Sequence, residues 1–295
     1  MTDSSQLFSG KITIFGVGLL GGSFALALRK CGAPVTITGC GRSEERLRRA
    51  CEHGIIDAFT TDAAAACKEA DLILLATPVE TFRNSVADIR QHLKPGVIIT
   101  DVGSVKGLLV SRLDALMPGH ARFVGAHPIA GGEASGFEAA RADLFEGERC
   151  IITPTPKTDP NALRTVTTIW ESLGMQVEQM SPERHDAVFA QASHFPHLVA
   201  YALVNAVAEH GGDALSYAGS GFRDTTRIAQ SSPELWSGIL MANRDEVLAA
   251  GAEFRKKFEQ IMNALAAEDL DSLRSALARA QTARASVQNR RTMGE

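Results

Sequence analysis

The sequence predicts an α/β protein in which an N-terminal doubly wound parallel sheet is followed by an all-helical C-terminal domain. Three observations predict it. Short β-rich runs alternate with helical stretches over residues 11–180, strand-like runs disappear after Ser181 and Pro182, and a glycine-rich turn joins the first run to the first helix. At 295 residues the chain is long enough to split into two cores, with a division expected at 1–180 and 181–295.

The expected strands are residues 11–15, 35–39, 72–76, 97–101, 123–126, 149–153 and 175–180, each rich in β-branched or apolar side chains. Between them, stretches such as 43–53 and 161–173 carry apolar residues at helical spacing behind a capping residue. In the second half, Pro196 falls within a helical stretch over 183–209 and should kink it, because proline removes a backbone donor and crowds the preceding turn. Val247, Phe254, Phe258, Ile261 and Leu265 recur along one face of a long helix. So long an apolar face in so small a domain calls for a second copy of the chain, and a homodimer through the helical domain is expected.

Composition narrows the function. Apolar residues make up 45% and charged residues 22%, the balance of an ordinary globular protein, and the net charge of -4 offers no footprint for nucleic acid. The five cysteines contain no Cys-x-x-Cys pair and no metal-ligand spacing, so reduced thiols and no metal are expected. The polar N-terminus lacks a basic, then apolar, leader, and no apolar run nears the roughly 20 residues of a membrane span. These features imply a cytoplasmic protein with a small-molecule ligand and no membrane partner.

Gly16-Val-Gly18-Leu19-Leu20-Gly21 follows the first strand and opens a helix, the context of a Rossmann-type dinucleotide site. Gly16 permits the tight turn, Gly18 lets backbone approach a pyrophosphate, and Gly21 allows helix to pack on strand; Leu19, Leu20 and Ser23 line the helix start, Ser23 as a candidate donor. An acidic residue should end the second strand if the ribose 2′-hydroxyl is to be bound, but the chain reads Gly41-Arg42-Ser43 there. A cationic fork and a hydroxyl suit a 2′-phosphate, which favours NADP, with NAD as the alternative. Arg42 as a solvated loop residue and Ser43 as a helix cap remain the plain readings of the same residues.

Thr77-Pro78 and Asp101-Val-Gly-Ser104-Val-Lys106 follow strand ends on the carboxyl edge of the sheet, where ligands bind in this architecture. Ser104 is a contact candidate or a helix cap. His127, held between a strand and Pro128, is placed for proton transfer near neutral pH. His194 and His197 flank the kink, and Arg227 either clamps a carboxylate or pairs with Asp224.

The order of G-V-G-L-L-G-G-S, A-T-P, D-V-G-S-V-K, H-P-I-A-G, S-H-F-P-H and D-T-T-R-I-A closely resembles the prephenate/arogenate (cyclohexadienyl) dehydrogenase family over residues 11–243. The resemblance implies oxidative decarboxylation of a cyclohexadienol in tyrosine biosynthesis, with hydride passing to the nicotinamide. It also implies that His127 is the catalytic histidine that takes the ring hydroxyl proton, and that Ser104 contacts that hydroxyl and the nicotinamide side. Arg227 would hold a substrate carboxylate and His197, with His194, would face the side chain, while Glu133, Asp224 and Trp236 support or close the pocket. Two departures stand out: Gly132 follows H-P-I-A-G where the family has threonine, and the ribose-binding acid is absent.

Two rival readings share parts of this pattern. A 3-hydroxy-acid dehydrogenase or imine reductase would place a Lys, Tyr or Asp on the helical half for proton transfer, where this chain has histidine pairs and Arg227. A non-catalytic nicotinamide sensor would not need His127.

Overall fold

The structure, a computed structural model, describes residues 7–132, 134–209 and 213–292, with side chains described as far as residue 287. Eight strands form one sheet: β1 (Gly10–Phe15), β2 (Val35–Cys40), β3 (Ala58–Thr60), β4 (Leu72–Leu75), β5 (Ile98–Asp101), β6 (Arg122–Pro128), β7 (Arg149–Thr153) and β8 (Gln176–Gln179). The spatial order is β3-β2-β1-β4-β5-β6-β7-β8, so the winding reverses between β1 and β4. Edge strand β3 escapes sequence patterning because its Ala-Phe-Thr run is too short to show a period.

Strands β1 to β6 are parallel, but β7 is antiparallel to β6 and β8 runs with β7. The expected doubly wound parallel sheet is thus present, with one antiparallel pairing, β6 to β7, within it. A parallel neighbour needs a crossover of a dozen or more residues, usually a helix. Between β6 and β7, among the described residues, only the single turn Phe137–Ala139 is helical, so β7 returns from the edge at which β6 ends.

Helices cover both faces. On one, α1 (Leu19–Lys30), α2 (Glu44–Glu52) and α6 (Pro160–Ser172) close a core around Phe24, Phe145 and Trp170. On the other, α3 (Ala63–Cys67), α4 (Phe82–Ile89) and α5 (Gly107–Leu116) pack on Ile73, Leu75 and Ile99. All five cysteines are free, and burial pushes the Cys40 and Cys67 thiols up to about 11 and about 12, which leaves them unreactive at neutral pH.

The remaining helices are α7 (Pro182–Phe189), α8 (Phe195–Glu209), α9 (Ser220–Thr226), α10 (Pro233–Ala242), α11 (Arg244–Ala266) and α12 (Leu270–Thr292). The kink expected at Pro196 takes the form of a π-helical turn, Ala190–His194, between α7 and α8. Pro196 has no N–H to give to the turn before it, and widening that turn accommodates the loss. By compactness the chain divides into a unit ending at Arg244 and a second from Asp245, so α7 to α10 belong to the unit that holds the sheet. In the second unit Phe254, Phe258, Leu265, Leu270 and Leu277 are all exposed, and the rings of Phe254 and Phe258 stack. Among the described residues no helix is long and apolar enough to cross a membrane.

Candidate active site

The carboxyl ends of β1, β4, β5 and β6 lie along one edge, since Phe15 pairs with Leu75 and Leu75 with Asp101. The glycine turn sits at the reversal point between β1 and β4, the place where open α/β sheets bind ligands. Gly16 has φ +92°, and a Cβ there would stand 2.7 Å from the Ala76 carbonyl oxygen. A Cβ on Gly21 would stand 2.2 Å from the Gly16 oxygen, so helix and turn touch only because both residues lack side chains. Gly18 meets nothing within 4 Å; its glycine is called for by something other than internal packing. Leu19 and Leu20 form the first turn of α1. These residues fit a dinucleotide: a Gly-only turn, an uncapped helix N-terminus and an open approach at Gly18.

Thr77, which bonds Thr81 at 2.7 Å, lies beside Gly16, and Pro78 precedes a 3-10 turn. Ser23 is fully buried, and its Oγ accepts the Arg141 N–H at 3.0 Å. Ser43 caps α2 through Arg46 N at 3.3 Å, and Arg42 is exposed at the end of β2.

Ser104 is not a helix cap. It lies half-buried in the loop between β5 and α5, and α5 begins at Gly107. Beneath that loop Lys106, wholly buried, donates to Asp101 Oδ2 (2.6 Å) and to the carbonyls of Gly103 (2.6 Å) and Val105 (3.2 Å). Asp101 also accepts Gly103 N at 2.9 Å and Ala126 N at 3.0 Å. The pair thus ties the Ser104 loop to the strand that carries His127. A buried ion pair is tolerable when its polar atoms are paired; here the ammonium has three acceptors and both carboxylate oxygens accept.

His127, on β6, is 9% exposed. Its Nδ1 lies 2.8 Å from His185 Nε2, and His185 Nδ1 lies 2.8 Å from Asp186 Oδ1. The carboxylate accepts only, so His185 carries its proton on Nδ1 and, being neutral, presents a bare Nε2. His127 must then carry its proton on Nδ1, which leaves Nε2 as a lone pair. Burial, reinforced by neighbouring His185 and by the Lys106 charge, holds the His127 pKa well below 6.5, so the ring is neutral at pH 7. Burial lowers His185 too, partly offset by Asp186. The Phe189 ring packs on both histidines, centroids 4.8 and 4.4 Å away.

Asp186 also caps α5, accepting Lys106 N and Gly107 N at 2.7 Å each. Sequence reading missed His185, Asp186 and Asn243. A His-Asp pair in the first turns of a helix reads as a solvated face, and its partners lie 58 and 80 residues away.

His194 ends the π turn and is buried, while His197 stacks on Trp236 of α10 at 3.4 Å and 18°. Burial lowers the His197 pKa; the Ser193 carbonyl opposes this and the Arg227 charge adds to it. Arg227 therefore lies within electrostatic reach of His197. Arg227 and Asp224 are both exposed, Asp224 on α9 and Arg227 directly after it. Glu133 lies outside the described residues.

Comparison with known proteins identifies the family. Residues 24–179 match the family model for the nucleotide-binding domain of prephenate dehydrogenase, and residues 181–279 that for its dimerization domain. The chain is 37% identical to the prephenate dehydrogenase of Bacillus subtilis over 89% of its own length and 72% of the relative's. A crystal structure of prephenate dehydrogenase from A. aeolicus, in complex with hydroxyphenyl propionate and NAD+, superposes with a TM-score of 0.90 at 38% identity, covering 95% of this chain and 99% of that one. Synechocystis arogenate dehydrogenase superposes with a TM-score of 0.80 at 32% identity, covering 94% and 99%. The chain belongs to the prephenate dehydrogenase family.

Proposed function

We propose that the cleft at the carboxyl edge of the sheet decarboxylates prephenate, arogenate or both, with NADP as the preferred hydride acceptor. The observation that carries this reading is the His127–His185–Asp186 chain, which leaves His127 Nε2 as a base beside the Ser104 loop. Residues 1–180 serve the dinucleotide and 181–295 the substrate and a homodimer contact through the exposed Phe254, Phe258 and Leu265 face. The protein acts in the cytoplasm.

The dinucleotide, when bound, takes up the hydride released from the ring carbon that bears the hydroxyl. Gly16, Gly18 and Gly21 admit its pyrophosphate, with Leu19, Leu20, Thr77 and Pro78 around it. Arg42 and Ser43 receive a 2′-phosphate; Ser43 does so with its main chain and hydroxyl while still capping α2. His127 Nε2 removes the hydroxyl proton, and Ser104 orients that hydroxyl. Loss of hydride makes the ring oxygen strongly acidic, so a histidine of depressed pKa is basic enough. The imidazolium that forms donates from Nδ1 to His185, backed by Asp186. Carbon dioxide departs as the ring becomes aromatic, and the phenolate oxygen takes the proton back from His127. Arg227 clamps a substrate carboxylate, and His197 on Trp236, with Asp224 and His194, completes the pocket.

The test is the initial rate of reduced-nicotinamide formation at 340 nm for prephenate or arogenate paired with NAD or NADP. The fastest pairing assigns cofactor and side chain together. NADP preference should fall when Arg42 is replaced by Ala; a preference for NAD in the unaltered protein refutes the role given to Arg42.

A further inference from the structure

The G-V-G-L-L-G-G-S motif runs two residues past the glycine turn. Those residues, Gly22 and Ser23, are buried inside α1. Glycine is a poorer helix former than alanine, so its presence within a regular helix calls for a reason of space. A Cβ on Gly22 would stand 2.9 Å from the Ala140 Cβ, with the Phe137 Cα at 3.9 Å. Ser23 Oγ accepts the main-chain N–H of the next residue, Arg141, at 3.0 Å. Both residues therefore seat one segment, the connection that leaves β6 at Pro128, one residue after His127.

That connection is gripped at further points. Phe137 is 3% exposed; its ring meets His53 edge-on, centroids 5.7 Å apart, and lies under the Arg49 guanidinium at 5.2 Å. Arg49, on α2, also pairs with Glu138 at 3.0 Å. Towards β7, Glu146 pairs with Lys30, the last residue of α1, at 2.5 Å. The segment thus rests on α1 and α2, the two helices whose N-termini are assigned to the dinucleotide. His127 is held independently, by the pairing of β6 with β7 and by His185. Loosening the segment from α1 therefore disturbs the chain beyond Pro128 and leaves the base in place.

We propose that Gly22 and Ser23 are positioning residues that dock this segment on α1 and so fix the wall of the substrate cleft next to His127. The second half of the glycine motif then serves the substrate side of the reaction, and the first half the dinucleotide. The inference rests on the proposed ligand cleft, but the docking is measurable without turnover.

The experiment compares Gly22→Ala, Ala140→Gly and the double variant, each as the full-length protein. Four quantities are measured: KM for the ring substrate, kcat, dinucleotide affinity by isothermal titration calorimetry, and ligand-free hydrogen exchange across residues 134–141 by mass spectrometry. Gly22→Ala should raise KM about tenfold, because a methyl added to a filled contact pushes its neighbour aside, while kcat and dinucleotide affinity stay within about threefold. Exchange across 134–141 should quicken about tenfold. Ala140→Gly removes the atom that the new methyl meets, so the double variant should recover both KM and exchange. A glycine required by the dinucleotide could not be rescued from position 140. Ser23→Ala takes away the Arg141 acceptor without adding bulk; it should move KM and exchange the same way by about threefold, and it carries the test if Gly22→Ala does not fold. Unchanged KM in Gly22→Ala or, where that variant does not fold, in Ser23→Ala, no recovery in the double variant, or a loss confined to dinucleotide affinity overturns the proposal. Silence of the unaltered protein in all four cofactor and substrate pairings would instead refute the proposed reaction, and hydrogen exchange would then decide the docking alone.

Discussion

Replacing Asp186 separates two roles that the carboxylate combines, cap of α5 and setter of the His185 tautomer. Its Oδ1 accepts both Lys106 N and His185 Nδ1, and its Oδ2 accepts Gly107 N. In Asp186→Asn the amide oxygen can keep the Oδ1 place and both of its bonds, losing only the Gly107 contact, which costs about 1 kcal/mol of a cap. In Asp186→Ala all three bonds go, and with buried donors stranded the loss is about 3–5 kcal/mol. More specifically, His185 is then free to carry its proton on Nε2 and donate to His127, whose own proton moves to the nitrogen that should act as base. A hydrogen bond to a charged acceptor, about 1.5–3 kcal/mol, is the bias that is lost. Turnover of the Ala variant should therefore fall about tenfold to a hundredfold, while the Asn variant stays within about tenfold of the unaltered protein. Turnover at 340 nm, dinucleotide affinity by fluorescence and melting temperature by calorimetry, all well below the melting range of the weaker variant, separate the effects. Equal turnover losses in Ala and Asn, or an Ala variant within threefold of the unaltered protein, would refute the relay and leave Asp186 a helix cap.

Three further outcomes follow from the geometry. His127→Asn should bind dinucleotide normally and lose about two to four powers of ten in turnover, the usual worth of a general base; near-normal rates would remove His127 from the chemistry. Stability should fall in acid. A histidine with a depressed folded pKa leaves the unfolded chain binding more protons below 6.5, so the His194 contribution is intact above that pH and is lost between 6.5 and about 4, roughly 3 kcal/mol in all, with His127 and His185 adding in the same direction. Urea titrations at pH 7.5 and 4.5 measure it, and an unchanged midpoint counts against buried neutral histidines. Gly21→Ala, whose methyl would meet the Gly16 oxygen at 2.2 Å, should displace α1 and weaken dinucleotide binding by at least tenfold, read by isothermal titration calorimetry; unimpaired affinity would mean the turn is not the pyrophosphate site.

How much of this was legible beforehand depended on the range of the interaction involved. The strand runs, Gly16, Gly18 and Gly21, the break after Ser181 and the disturbance at Pro196 are all local: each follows from what a residue does to its own backbone or from a period of two or 3.6. The positions of His127, Ser104 and the helical face of Phe254 and Phe258 were visible for the same reason. The reversed direction of β7, the burial of Lys106 under the Ser104 loop, and the join of His127 to His185, Asp186 and Asn243 were not. Each depends on groups 5 to 80 residues apart that meet only once the sheet and α7 are packed together. A histidine's type is written in the chain, but which of its nitrogens holds the proton is set by the neighbours that folding brings to hydrogen-bond distance, and the role proposed for His127 depends on that choice.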